Sequence, residues 1–313
     1  MGGQDGAYLS RLLLDKGYTV FGTSRDAVTV SFANLSRLGI RSKVITASMD
    51  VTDFSNVVQT IGKFRPDEIY NLAGQSSVGL SFEKPIETME SIANGTLNLL
   101  EAIRSHEKSV RFFSAGSSEC FGDAGSIPAN EETPFRPRSP YAIAKTAAHH
   151  LVENYREAYS IYACTGIQFN HESPLRSERF VTQKIVRTAA RIASGSDEKL
   201  EIGNINIQRD WGWAPEYVEA MWLMLQLNSP QDFVVATGRS VSLETFIEQT
   251  FLYFGLNYKD YLLINSSLFR PADILVGRAN PSKASQILNW QAKVDIEAVI
   301  ENMCFEARNS MQI

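Results

Sequence analysis

Along the first 170 residues, short runs rich in β-branched and aromatic side chains alternate with longer stretches whose apolar positions recur three and four apart. Residues 19–25, 43–50 (KVITASMD), 68–74 (EIYNLAG) and 110–114 (VRFFS) read as strands. Residues 87–106 carry Leu97, Leu100, Ala102 and Ile103 on one side, the spacing of an amphipathic helix. At the start, residues 3–6 read as a tight glycine loop that opens a helix, with Tyr8, Leu9, Leu12, Leu13 and Leu14 as its apolar stripe. Lys16 and Gly17 supply a cation and a glycine at its end. A further helix is expected from about Pro140 to Tyr159, then a strand (YACTGIQFN) ending at Asn170. This alternation predicts an α/β fold, a doubly wound parallel sheet with helices on both faces. Beyond residue 170 the order loosens. A helix follows Phe180, a short strand lies near 200–203, and helical stretches cover 215–226, 242–254 and 283–288. No Pro/Gly linker interrupts the chain, so one packed unit is expected, with a smaller C-terminal cap.

Composition narrows the classes. The chain has 313 residues, 44% hydrophobic and 21% charged, the make-up of an ordinary globular protein. A net charge of −5 gives no basic footprint for nucleic acid, so an anionic ligand must be met by local arginines and lysines. No apolar run approaches the roughly 18 residues of a membrane span, and no signal peptide is visible. Cys120, Cys164 and Cys304 lack the spacing of a zinc site or a disulfide framework. They read as buried thiols of a cytoplasmic protein, with no metal expected.

Three stretches carry candidate chemistry. In YAIAK, Tyr141 and Lys145 are four apart and share a helix face. A neighbouring ammonium favours phenolate, which would lower the tyrosine pKa and make Tyr141 a proton acceptor. Alone, this spacing is equally that of a solvated surface pair. In AGSSE, Ser117 and Glu119 follow the strand VRFFS, where a parallel sheet faces its ligand crevice. A hydroxyl and a carboxylate there could meet Tyr141 over one substrate, although a polar turn has the same look. The glycine loop places free N–H groups and a helix dipole where a pyrophosphate could sit. At the end of the following strand Arg25 precedes Asp26, which favours a 2′-phosphate, hence NADP over NAD.

The order of these signals is that of the extended short-chain dehydrogenase/reductases. The stretches GQDGAYL, EIYNLAGQSSVGLSF, PFRPRSPYAIAK, FNHESP, FVTQKI, QRDWGWAPEYVEAMWLMLQ and ATG closely resemble the GDP-mannose 4,6-dehydratases, from Gly3 to about Trp290. The resemblance implies a Rossmann-type NADP-binding domain at 1–170 and a mainly sugar-nucleotide-binding cap at 171–313, with segments returning to the sheet. It implies dehydration of GDP-mannose to GDP-4-keto-6-deoxymannose by internal hydride transfer through bound NADP. Tyr141 would take the C4 hydroxyl proton and Lys145 would hold the ribose. Glu119 would remove the C5 proton and protonate the departing C6 hydroxyl. Ser117, where threonine is usual, would bond the C4 oxygen. Cofactor contacts would come from Gly3, Gln4, Asp5, Gly6, Arg25, Asp50, Val51, Leu72, Ala73, Gly74, Tyr141, Lys145, His171 and Arg176. Ser76, Asn170, Glu172, Lys184, Gly203, Asn204, Arg209, Arg270 and Asp273 would line the GDP-sugar site, with Arg209 and Arg270 on the diphosphate. Asp273 stands where glutamate is usual, and Gln183 where arginine is common. His171 by itself reads as a satisfied structural histidine, and Met221 and Trp222 as core. The segment from Arg25 to Arg37 resembles a loop that reaches a neighbouring subunit, implying a homodimer or homotetramer. Two rival readings remain: another GDP-sugar epimerase or reductase, against which Glu119 argues, and a non-catalytic sugar-nucleotide-binding paralogue.

The family motif is G-x-x-G-x-x-G after a strand, and Gly3 and Gly6 fill its last two glycine positions. The first glycine and the strand would lie ahead of Met1. A sheet without that central strand is expected to carry two unpaired edges and an open hydrophobic slot. A chain that naturally begins upstream, a segment that fills the gap, and a damaged paralogue are the three explanations.

Overall fold

A computed structural model describes residues 1–106, 109–123 and 125–311. The chain opens with α1 (Gln4–Asp15), β1 (Phe21–Ser24), α2 (Ala33–Arg37), β2 (Ile45–Ser48), α3 (Phe54–Phe64) and β3 (Glu68–Asn71). Next come α4 (Val78–Glu83), α5 (Pro85–Met89) and α6 (Gly95–Arg104), the last two joined by a π-helical turn, then β4 (Arg111–Ala115). α7 (Pro140–Tyr159) leads to β5 (Ala163–Gln168), β6 (Asn170–Glu172), α8 (Val181–Ala193), β7 (Leu200–Ile202) and β8 (Gln208–Trp213). The chain closes with α9 (Ala214–Gln226), β9 (Phe233–Val235), β10 (Ser240–Ser242), α10 (Leu243–Tyr253), β11 (Leu262–Ile264), α11 (Ser282–Leu288) and α12 (Ile296–Asn309).

Several helices begin where a side chain accepts one of their free N–H groups. Asp53 caps α3, Ser139 caps α7 ahead of Pro140, and Asp295 caps α12. α1 starts at Gln4 rather than after Gly6. The Ala7 N–H donates to the Gly3 carbonyl at 3.2 Å, so the glycine stretch is the helix's own first turn rather than a loop ahead of it. α1 ends at Lys16, with Gly17 at φ +85°, a conformation glycine reaches without strain.

β3, β4, β5 and β9 form one parallel sheet in that order. Phe113 lies opposite Cys164, and Ile167 opposite Val234. β1 and β2 pair in parallel as a separate ribbon. α9 lies against α1, β4 and β5. Its Met221 and Met224 share a core with Phe113, Cys164 and Phe233. On the other face, α3, α6 and α7 bury Val57, Leu99 and Val152 against Phe112. A second body stacks α8, α10 and α12 around Ile185, Phe246, Phe251, Val299 and Met303. Next to it a small sheet runs in the order β10–β8–β6. All three cysteines are buried and unpaired. No helix among the described residues is long and apolar enough to cross a membrane.

Gly212 on β8 shows how tightly this region closes. A Cβ there would lie 2.3 Å from Cε2 of Tyr217, a ring with no exposed surface. A rigid buried ring cannot step aside cheaply. Gly212→Ala is therefore expected to lower stability by about 3 kcal/mol, read as a lower denaturant midpoint with an unchanged slope. An unchanged midpoint would show that β8 can move away from α9.

Candidate active site

β4 ends at Ala115, and the chain turns at once into a 3-10 helix, Ser118–Phe121, which carries Glu119. Ser117 caps it, its Oγ accepting from the Glu119 N–H at 3.3 Å. α7 enters beside this turn with Tyr141 and Lys145 one turn apart and facing inward. The Lys145 Nζ donates to the Ala115 carbonyl at 2.6 Å, which pins α7 to the end of β4. Both residues are buried, Tyr141 at 8% and Lys145 at 9% exposure. Burial pushes Lys145 down to about 8. It pushes the Tyr141 phenol well above its ordinary value, although a Ser117 hydrogen bond pulls the other way. The expected depression of Tyr141 by Lys145 is thus absent. The lysine lies 5.9 Å from the ring centroid and is committed to a backbone carbonyl. Its charge is itself disfavoured by the same burial, and loss of solvent around the phenol outweighs it.

Opposite this pair stands a charged cluster. Arg209 on β8 is nearly enclosed, with its Nε 4.0 Å from Glu119 Oε1 and its Nη2 3.6 Å from Asp273 Oδ1. Arg270 reaches the same carboxylate at 3.5 Å. Arg209 Nη2 has no hydrogen-bond partner, a buried donor held ready for an anion. Burial lowers the Arg209 pKa, and the Glu119 charge opposes that fall.

The third wall is the first turn of α1. Gly3 precedes it with no side-chain cap and open space where a Cβ would point. Gln4 is spent internally: its Nε2 donates to the His171 carbonyl at 2.8 Å and its Oε1 accepts from Ser173 Oγ at 2.7 Å. Asp5 Oδ2 lies 3.1 Å from His171 Nε2. Burial favours the neutral form of each. The mutual charge and hydrogen bond outweigh it, holding Asp5 below the usual carboxylate range and His171 above its own. The His171 Nδ1 lies 2.8 Å from the Phe169 carbonyl, and the ring stacks on Tyr217 at 4.5 Å.

These walls enclose a cavity of about 490 Å³. Asp5, Leu72, Ala73, Gly74, Ser117, Glu119, Tyr141, Lys145, His171 and Arg176 line it. So do Ser76, Asn170, Glu172, Lys184, Gly203, Asn204, Arg209, Arg270 and Asp273. The Glu172 carboxylate is held by Thr182 and Arg176, and Lys184 donates to the Glu201 carbonyl. Six residues singled out from the sequence are not on this wall. Gly3 and Gln4 form the start of α1, and Gly6 and Val51 face a different cavity. Asp50 follows β2 and accepts from Thr52. Arg25 follows β1, largely exposed, 3.6 Å from Glu87. Gln75, Arg179, Thr182 and Trp211 join the wall without having been singled out. All four fall inside or beside the quoted sequence blocks, which was the available signal. His149, His150 and Glu153 could hold a metal ion, but they lie elsewhere on α7.

The groups present fit a dinucleotide. An uncapped helix start with room at Gly3 can approach a pyrophosphate, and the buried, unpartnered Asp5 Oδ1 and the lysine of α7 reach the cavity that a nicotinamide riboside would enter.

The chain is similar to known proteins over nearly its whole length. A profile of the family described as GDP-mannose 4,6 dehydratase matches residues 1–303. GDP-mannose 4,6 dehydratase 2 of Arabidopsis thaliana is 46% identical over 97% of this chain and 84% of its own length. GDP-mannose 4,6-dehydratase of Vibrio cholerae is 41% identical over 97% of this chain and 91% of its own. Among solved structures, the NAD complex of Thermus thermophilus UDP-glucose 4-epimerase superposes with a TM-score of 0.87 at 24% identity, covering 99% of this chain and 97% of that one. A dTDP-glucose 4,6-dehydratase from Bacillus anthracis superposes at 0.86 and 16%, covering 99% and 95%. The fold is the Rossmann-type doubly wound α/β architecture of such epimerases and dehydratases. With its sequence matched over nearly its whole length, the chain belongs to the GDP-mannose 4,6-dehydratase family.

Proposed function

We propose that this chain dehydrates GDP-mannose to GDP-4-keto-6-deoxymannose, using NADP bound along α1 and the carboxyl ends of β1 and β3. The observation that carries the reading is the convergence of Ser117, Glu119, Tyr141 and Lys145 on one cavity that also holds Arg209 and Arg270. Bound NADP supplies a hydride acceptor that returns the hydride within one cycle, which no side chain here can do. Tyr141 accepts the proton of the C4 hydroxyl, and Ser117, hydrogen-bonded to that phenol, holds the C4 oxygen. Once C4 is a ketone, the C5 hydrogen is acidic. Glu119 takes it and gives the proton to the C6 hydroxyl, which leaves as water. Arg209 and Arg270 hold the diphosphate, their paired N–H groups matching its oxygens. Arg25 favours NADP over NAD because a guanidinium suits a 2′-phosphate.

A 4-epimerase or a simple reductase has no use for a carboxylate at C5, so the position of Glu119 supports the dehydratase over those readings. The segment from Arg25 to Arg37 exposes Val28 at 90%, which supports a homodimer or homotetramer closing over it. Three buried, unpaired thiols suit a reducing compartment, the cytoplasm.

The test is mass spectrometry of GDP-mannose incubated with the chain and NADP. The expected product is lighter by one water. GDP-mannose that is bound but unchanged would move the reading to a non-catalytic sugar-nucleotide binder.

A further inference from the structure

The turn of α7 beyond Lys145 carries a cluster that the sugar-nucleotide cavity does not use. His149, His150 and Glu153 each offer one ligand atom, and these atoms lie within 4.8 Å of one another. None of the three lines that cavity, although His149 stands one turn past Lys145 on the same helix. The helix sets the spacing. Glu153 is four residues from His149 and three from His150, so all three project over one turn. Two of the chain's four histidines stand side by side here.

Neighbouring groups hold these side chains in place. Phe135 packs edge-on against the His149 ring with 4.8 Å between centroids, and lies 5.9 Å from the His150 ring. The two imidazoles meet at 5.4 Å with their planes 79° apart. The His150 Nδ1 lies 3.1 Å from Glu153 Oε2. Two ligands bonded at about 2.0 Å to one tetrahedral zinc stand about 3.3 Å apart, so this pair already has the spacing of a shared ion. The His149 Nδ1 is buried and bonds no group among the described residues. A buried nitrogen without a partner costs free energy that a ligand bond recovers.

We propose that His149, His150 and Glu153 bind one divalent ion of the zinc type, with two imidazoles and one carboxylate as ligands and water in the fourth position. Imidazole ligands select zinc over magnesium and calcium, which take oxygen ligands. All three protein ligands come from one turn, so the ion staples the second half of α7 rather than joining two elements. The site is separate from the sugar-nucleotide cavity, and the proposal does not rest on the function assigned to that cavity.

The probe is zinc chloride titrated into the metal-free full chain, prepared without a histidine tag. Calorimetry should show one equivalent bound with a Kd of about 10⁻⁶ to 10⁻⁵ M. Magnesium chloride over the same range should give no binding. At about a hundredfold excess of zinc over Kd the unfolding midpoint should rise by about 5 °C. His150 is exposed, so His150→Gln keeps the fold and should weaken zinc binding about tenfold or more. His149→Gln combined with His150→Gln should abolish both the binding and the midpoint shift. Absence of binding up to about 10⁻⁴ M zinc overturns the proposal. Zinc affinity left unchanged by His150→Gln overturns it too, since the ion would then be held elsewhere.

Discussion

Tyr141→Phe should cut turnover by about 10³ while GDP binding stays within about threefold. The change removes one oxygen from a side chain packed against Ile92, Ala144 and Ala148, so the ring keeps its place and the fold its core. What is lost is the only phenol that Ser117 holds at the end of β4. Burial chiefly drives this phenol upward, with Cys120 and Glu119 adding to it, so the tyrosine must work against its own surroundings, and Lys145, one helical turn on, is bonded to the Ala115 carbonyl beside it. That makes the pH profile informative. Lys145, pushed down to about 8, is charged below that value and neutral above it, so the parent's rate should fall as pH rises through about 8. The residual rate of Tyr141→Phe should be flat across the same range. The linkage to stability has the opposite sign: the folded pKa lies below the unfolded one, so burying the ammonium costs stability at neutral pH and the cost fades as pH rises above about 8. A rate that falls above pH 8 is then loss of a working charge and not loss of fold. Retention of most of the activity by Tyr141→Phe would remove the tyrosine from the proposed chemistry.

Much of this site could be read from local sequence because local rules build it. Ser139 and Pro140 start α7, and the four-residue spacing then fixes Tyr141 beside Lys145. A parallel strand ending at Ala115 places Ser117 and Glu119 in the crevice. What failed was burial. Spacing reports that two side chains are neighbours, but not how much water remains around them, and here desolvation is the largest influence on Tyr141 and raises its pKa. The clamp of Gln4 on His171 and Ser173 was illegible for a related reason, since it joins residues far apart in sequence. β6, β9, β10 and β11 span three residues each, too short to display a period of two. α12 is different: Ile296, Val299, Ile300, Met303, Cys304 and Ala307 follow helical spacing without a break, a legible signal that went unread. The apolar cavity between β1 and β3 follows from sheet order, whereas the seating of Met1 there, its amine donating to the Thr23 carbonyl, is tertiary packing that no local pattern encodes.

Glu119→Gln is the sharper test of reaction type, because it separates a dehydratase from its relatives by one proton. The amide is the same size as the carboxylate, and the Ser117 cap on the 3-10 helix uses the Glu119 backbone N–H, which the variant keeps. Arg209 loses its 4.0 Å carboxylate neighbour but keeps Asp273 at 3.6 Å, so the diphosphate end should stand. An amide cannot take a proton from carbon. Water loss should therefore fall by about 10² to 10⁴, with substrate binding within a few-fold. In deuterated water the parent should place deuterium at C5 of its product, since the abstracted proton leaves with the C6 hydroxyl and C5 takes a new proton from a group in exchange with solvent when the hydride returns to C6. The variant should hold a C4-oxidised sugar with its C5 hydrogen intact. The two measurements fail in different ways. Water loss at the parent's rate would exclude Glu119 as the base and point to Tyr141 or a bound water for both proton transfers. Lost activity together with unchanged deuterium exchange at C5 would leave Glu119 only the later role, donor to the departing C6 oxygen. Loss of both together ties the acid and the base to one carboxylate, set two residues beyond the Ser117 that caps its own helix.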